Sequence, residues 1–184
     1  VTGLNKQCTS NSWKSIEESF RTLQGRFPQL KTWRLGQDNA KRRAGACFPS
    51  RKLLTLSRHH LKLNSHEVIM DTFLHEVAHA VAWELYRENG HGSHWKRIVS
   101  DLGGVPKARG HFKTPQAAWY IVYYDQTNQT LMKVAERHRK NRRIKSLMVR
   151  GRPESLGQLY YICSNEYQLW NDGHKNISQV RLEQ

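Results

Sequence analysis

The chain has 184 residues and a formal net charge of +15, from 30 Lys and Arg against 15 Asp and Glu. That length suits one domain, or one domain with a small appendage, and is enough to bury a real core. A charge of this size points to an anionic partner, whether nucleic acid, an anionic membrane surface or an acidic protein; the alternative is a solvated basic surface with no dedicated ligand.

Three scattered cysteines, Cys8, Cys47 and Cys163, make no disulfide framework and suggest a reducing compartment. The first twelve residues carry no apolar core of the signal-peptide kind. The longest apolar run, Ala117 to Tyr124, is far too short to span a bilayer, so no membrane association is expected. A cytoplasmic protein fits these features; a nucleoid, nuclear or host-cytoplasmic one would look the same.

In chain order, Trp13, Ile16, Phe20 and Leu23 share one helical face, with Ser12 placed to cap it and Gly25 and Pro28 to end it. Short strands are expected at Thr32–Leu35, Ala44–Phe48 and Leu53–Ser57. The basic run Lys41-Arg42-Arg43 lies in the first connection. Ser65 then opens a long helix, about Glu67 to Glu88, that Asn89-Gly90 breaks. A further helix starts near Ser93, carries Trp95, Ile98, Val99 and Leu102 on one side, and ends at Gly103-Gly104. After Thr114 a hairpin is expected from Ala117–Tyr124 and Thr130–Val134, then strands at Ile144–Val149 and Leu159–Cys163. Between them Glu136 is followed by an acid-free basic stretch reaching Arg152. Residues 1–114 therefore read as an α+β catalytic part and 115–184 as a small, basic, β-rich appendage.

The long helix carries His75-Glu76-Val77-Ala78-His79. Histidines four apart differ by about 40° in direction and one turn in height, so their imidazoles can meet on one cation. Zinc suits that arrangement. Glu76 points about 100° from His75, beside such a metal, where it can act as a general base. Apolar or small neighbours, Leu74, Val77, Ala78 and Ala80, pack the rest of the helix. A catalytic zinc needs a third protein ligand and an open position. His91, between two glycines beyond the helix break, is the best placed candidate; His94 competes, and His111 is weaker. His59, His60, His66, His138 and His174 read as surface or nucleic-acid-facing groups.

Several segments in order resemble the SprT/Spartan family of zinc metallopeptidases. They are Trp33-Arg34-Leu35-Gly36, Ala44-Gly45-Ala46-Cys47, Leu54-Thr55-Leu56-Ser57, Leu74 to Ala80, and Gly90-His91-Gly92-Ser93-His94-Trp95. The resemblance spans roughly Ser12 to Leu102. It implies a zincin-like metallopeptidase domain, its His-Glu-x-x-His helix packed on a small sheet, with His75, His79 and His91 as zinc ligands and Glu76 as catalytic base. Relatives often carry a C-terminal zinc ribbon built from two cysteine pairs. Here Tyr120–Asp125 has no cysteine and Tyr160–Ser164 has one. A degenerate ribbon is therefore expected, with one zinc per chain and with Trp119, Tyr123, Tyr160 and Trp170 packing in place of a second metal.

Spartan-like relatives cleave proteins bound or crosslinked to DNA, which fits the charge. Arg137, Arg139, Lys140, Arg142, Arg143 and Lys145 would then hold phosphates. Tyr160, Tyr161 and Trp170 would either pack in the core or stack on exposed bases in single-stranded regions. The expected function is zinc-dependent endoproteolysis of DNA-associated or DNA-crosslinked proteins. Two alternatives stand beside it: a peptidase with one narrow protein target, and a non-enzymatic nucleic-acid-binding protein with structural zinc.

Overall fold

The computed structural model describes the backbone of residues 4–184 and the side chains of residues 11–184. Cys8 lies outside the described side chains. The chain divides into two compact units between Pro115 and Gln116. Each is α+β with one small sheet. Among the described residues no helix is long and apolar enough to cross a membrane.

The first unit begins with α1, Leu4–Arg26. It starts well before the expected cap: Ser12 is a buried residue inside the helix. Residues 5–10 carry no apolar spacing, so a reading led by apolar periodicity begins the helix one face-marker too late. A 3-10 turn, Pro28–Thr32, leads into β1, Arg34–Asp38, followed by β2, Gly45–Phe48, and β3, Leu53–Ser57. Thr32, expected in the first strand, belongs to the turn.

The sheet order is β1-β3-β2, with β1 parallel and β2 antiparallel to β3. Leu54 and Leu56 of the central strand are buried, and Thr55 is buried beside them. Thr55 Oγ1 donates to Asp38 (2.7 Å), and the Arg43 guanidinium reaches the same carboxylate oxygen at 2.8 Å. The base of the β1–β2 connection is thereby fixed to the sheet. As the edge strand, β2 has a strand partner on one side only.

A short helix not anticipated from periodicity, α2 (Arg58–Leu63), follows β3 directly. Ser57 caps it, its hydroxyl accepting from the backbone of His59 and His60. This helix corrects the placement of His60, expected at the surface. It is 2% exposed, edge-on to Phe112 at 5.4 Å and bonded through Nδ1 to the Asn64 amide.

The next helix, α3 (His66–Tyr86), is the centre of the first unit. Ile69, Phe73, Val77, Ala78, Ala80, Val81 and Ala82 are all buried, so the helix is covered on most of its circumference. Phe73 meets Phe20 of α1 edge to face at 6.3 Å. Burying such a ring contributes about 1.5–3 kcal/mol. Trp33 donates from Nε1 to Glu84 (2.9 Å), tying the start of the sheet to the helix's last turn. The helix stops at Arg87, which takes the left-handed conformation (φ 54°) three residues before the expected Gly90 break. α4, Ser93–Asp101, then packs Trp95, Ile98 and Val99 against α3.

The second unit holds β4 (Trp119–Asp125), β5 (Thr130–Arg137) and β6 (Leu159–Cys163) in the antiparallel order β5-β4-β6. The Asp125 carboxylate accepts from the backbone of Thr127 and Asn128, and Gln129 takes positive φ, which closes the hairpin. Strand alternation gives the sheet two apolar faces. Tyr120, Val122, Leu131 and Ile162 lie in one cluster, with Tyr160 and Trp170 packed on it. Ile121, Ile144, Leu159 and Tyr161 lie in the other, with Trp119 and Tyr123.

Two features differ from expectation. Ile144–Val149 is not a strand but a 3-10 turn at Ile144–Ser146 followed by irregular chain. Only Ile144 is fully buried there, while Leu147 and Met148 face outward, so the alternation a strand needs is missing. A helix, α5 (Ser164–Asn171), follows β6 and supplies Tyr167 and Trp170 to the core.

Candidate metal centre

His75 and His79 stand one turn apart on α3, and His91 follows the helix in the connection to α4. Their three Nε2 atoms lie 3.0–3.2 Å from one another. Zinc binds imidazole nitrogen at about 2.0–2.1 Å, and at tetrahedral angles two such ligands stand about 3.3 Å apart. The spacing therefore fits a cation shared by all three. Crowded donors would repel at this distance, whereas lone pairs aimed at one cation do not. Among the described residues this is the cluster of His, Cys, Asp and Glu that could hold a metal ion. Burial holds the His75 and His79 imidazoles down at about 4, helped by their histidine neighbours. Burial lowers His91 as well. In all three the shift favours the neutral imidazole, the form that ligates.

The return of the chain at His91 has a local cause. Glu88 reaches across the connection and accepts from the Trp95 backbone N–H (2.9 Å) and from His94 Nδ1 (3.0 Å). Trp95 is the third residue of α4, so the Glu88 carboxylate supplies the cap that the N-cap residue Gly92 lacks. A Cβ on Gly92 would come within 2.7 Å of that carboxylate, so a larger residue there would push Glu88 from its cap. Gly90 takes φ 102°, which lets the chain reverse.

Trp95 buttresses the cluster from beneath. It is fully buried, donates from Nε1 to the His75 carbonyl (3.2 Å), stacks on His79 and meets His75 and His91 edge-on. His94, the competitor for the third position, is drawn aside: its ring stacks on Tyr86 at 3.9 Å and its Nδ1 is held by Glu88. His111 lines the adjoining cleft but is outside the cluster.

Glu76 faces that cleft together with His75, Arg43 and Gly45. Its side chain rests on β2: a Cβ on Gly45 would meet Glu76 Cγ at 2.8 Å and Oε1 at 3.0 Å. Only a glycine in the edge strand leaves the carboxylate this room. Burial pushes the Glu76 carboxyl up to about 7, against the opposing pull of the Arg43 charge and the Cys47 backbone. Gly45 and Glu88 were not singled out from sequence. A glycine-to-glutamate contact across 31 positions leaves no spacing signal, and Glu88 reads as an ordinary helix-end acid.

The basic residues named for phosphate binding fall in the second unit. Arg139, Arg142, Arg143 and Lys145 are exposed and form no ion pair among the described residues. Lys140 is committed: it pairs with Glu183 and lies over the Trp119 ring at 3.8 Å. Arg137 is half-buried and donates to the Glu136 carbonyl. Tyr161 is 2% exposed and its hydroxyl accepts from the Asn141 backbone, so it cannot stack on a base. Tyr160 and Trp170 are half-buried against the core.

Fold and site thus define an α+β protein with a three-histidine centre able to hold a metal beside a buried carboxylate. The SprT-like family model matches residues 12–115, and the chain belongs to that family. No curated protein and no solved structure matches it.

The site predicts a ranking of metal affinities, measured by competition with a chromophoric chelator using zinc as the probe. His91→Ala lowers affinity by more than about 100-fold, Glu88→Ala by about 10- to 100-fold, and His94→Ala by less than about 10-fold. A larger loss for His94→Ala than for His91→Ala would exchange their roles.

Proposed function

We propose that the chain is a zinc-dependent endopeptidase that acts on DNA-associated or DNA-crosslinked proteins, with one zinc held by His75, His79 and His91. The observation that carries this reading is the convergence of three imidazoles, one of which, His75, lines a cleft that also contains the Glu76 carboxylate. A structural site needs no such carboxylate, and a closed one has no open cleft beside it. When bound, zinc supplies a Lewis acid that polarises a carbonyl and acidifies a water.

The remaining work falls to the chain itself. Glu76 takes a proton from the attacking water and passes it to the leaving amine as the C–N bond breaks. Gly45 keeps its carboxylate in the cleft, and Trp95 holds the imidazoles in register. The side of β2 without a strand partner offers backbone groups to an extended substrate segment, the usual way an exposed strand takes a peptide. Membership of the SprT-like family supports the peptidase assignment. The +15 charge and the uncommitted Arg139, Arg142, Arg143 and Lys145 support a DNA partner.

Glu76→Gln should keep its zinc and lose about 10²- to 10⁴-fold in proteolysis of an unfolded protein substrate. Gly45→Ala, which forces the same carboxylate aside, should lower the rate with zinc retained. Proteolysis surviving Glu76→Gln would refute the role given to this residue. On the DNA side, replacing Arg142 and Arg143 by Ala should flatten the salt dependence of binding by about one unit of slope per lost phosphate contact. Lys140→Ala should change it less, since Lys140 is already paired. Absence of DNA binding at moderate salt would remove the DNA-associated substrate class.

A further inference from the structure

The cleft that contains His75 and Glu76 has a volume of about 480 Å3, and its rim is strongly cationic. Arg42 and Arg43 come from the β1–β2 connection, and Lys107, Arg109 and His111 from the irregular segment after α4. The acids lining it are Asp71 and Glu76. Asp71 accepts from the Val105 backbone (2.8 Å), which holds one end of the segment to α3. The other end is held where Asn64 exchanges two hydrogen bonds with the Lys113 backbone. Of the cations, Arg43 is occupied by Asp38 and Thr55. Arg42, Lys107 and Arg109 are exposed and form no ion pair among the described residues.

A segment passing Glu76 therefore meets three uncommitted positive charges within one small cavity. Charges arranged around a cleft concentrate and orient ligands of the opposite sign. The cavity admits a few side chains, not a duplex. Val105, Ala108 and Phe112 add apolar surface to the same wall, which suits a peptide. We propose that the cleft selects protein segments with Asp or Glu close to the scissile bond, and that Arg42, Lys107 and Arg109 determine this specificity. The inference rests on the peptidase reading and supplies its substrate class.

The test uses the full, zinc-loaded chain and quenched fluorescent peptides of one length that differ only in the residues flanking the cleavage point: Asp, Ser or Lys. At about 50 mM salt the Asp peptide should exceed the Lys peptide in kcat/KM by about tenfold. The ratio should shrink toward one at about 0.5 M salt. Arg109→Glu should reduce or invert it, and so should a combined Arg42→Ala, Lys107→Ala and Arg109→Ala variant. Equal cleavage of all peptides, or an ordering unchanged in the combined variant, overturns the specificity while leaving the peptidase standing. Cleavage of none overturns the peptidase reading itself, and this inference with it. Competition by a short oligonucleotide against the Ser peptide, relieved in the combined variant, would assign the cations to nucleic acid and overturn the proposal.

Discussion

The contact on which the candidate site depends is the Glu88 carboxylate at the start of α4. Helix α3 alone brings His75 and His79 to the site. A third reaches them only if the chain turns back within a few residues of the helix end. Glu88 makes that turn stable by capping the Trp95 N–H and gripping His94; Arg87 and Gly90 turn the chain with positive φ, and Gly92 leaves room for the carboxylate. The same carboxylate decides between two histidines. It holds His94 away from the cluster, while the loop it closes carries His91 into it. Trp95, brought into place by this cap, then becomes the floor on which all three imidazoles rest.

The cleft has a comparable dependence on close packing. Glu76 has its position because β2 places a glycine, and no larger residue, against it. The strand is held by its pairing with β3, and the connection before it by the Asp38, Thr55 and Arg43 contacts. Sheet and helix thus share the work: α3 carries the chemistry-bearing residues, and the edge strand sets the space in which one of them acts. The cationic rim comes from the two segments that flank this arrangement, and it gives the cleft a charge preference independent of the second unit.

Much of the first unit could be read from the chain because its signals are local. The four-residue spacing of His75 and His79 and the apolar face of α4 require only helical periodicity. The third ligand needed more. The residues left His91, His94 and His111 open, and the resemblance favoured His91; the Glu88 contact that separates His91 from His94 joins positions that no periodic pattern links. Short elements were lost where their signal is weak: α2 offers two apolar residues in six, and α5 follows its strand without a break. The polar start of α1 hid its first turns. In the second unit Ile144 alone sits in the core, so an apolar stretch imitated a strand that its exposed neighbours Leu147 and Met148 do not support. His60, read as outward-facing, turns inward onto Phe112, 52 positions away, and Tyr161 takes the core position of its two readings, bonded to the Asn141 backbone 20 positions away.

The claim that joins these observations is that one metal, held by the three histidines, makes the protein a peptidase. Back-titration of chelator-stripped protein with zinc, following cleavage of an unfolded protein substrate, tests it most directly. Activity should be absent without metal, rise linearly, and reach its plateau at about one equivalent per chain, the stoichiometry of a single three-histidine site. Cleavage that persists in the stripped protein, or a plateau reached only at a second equivalent, would contradict it.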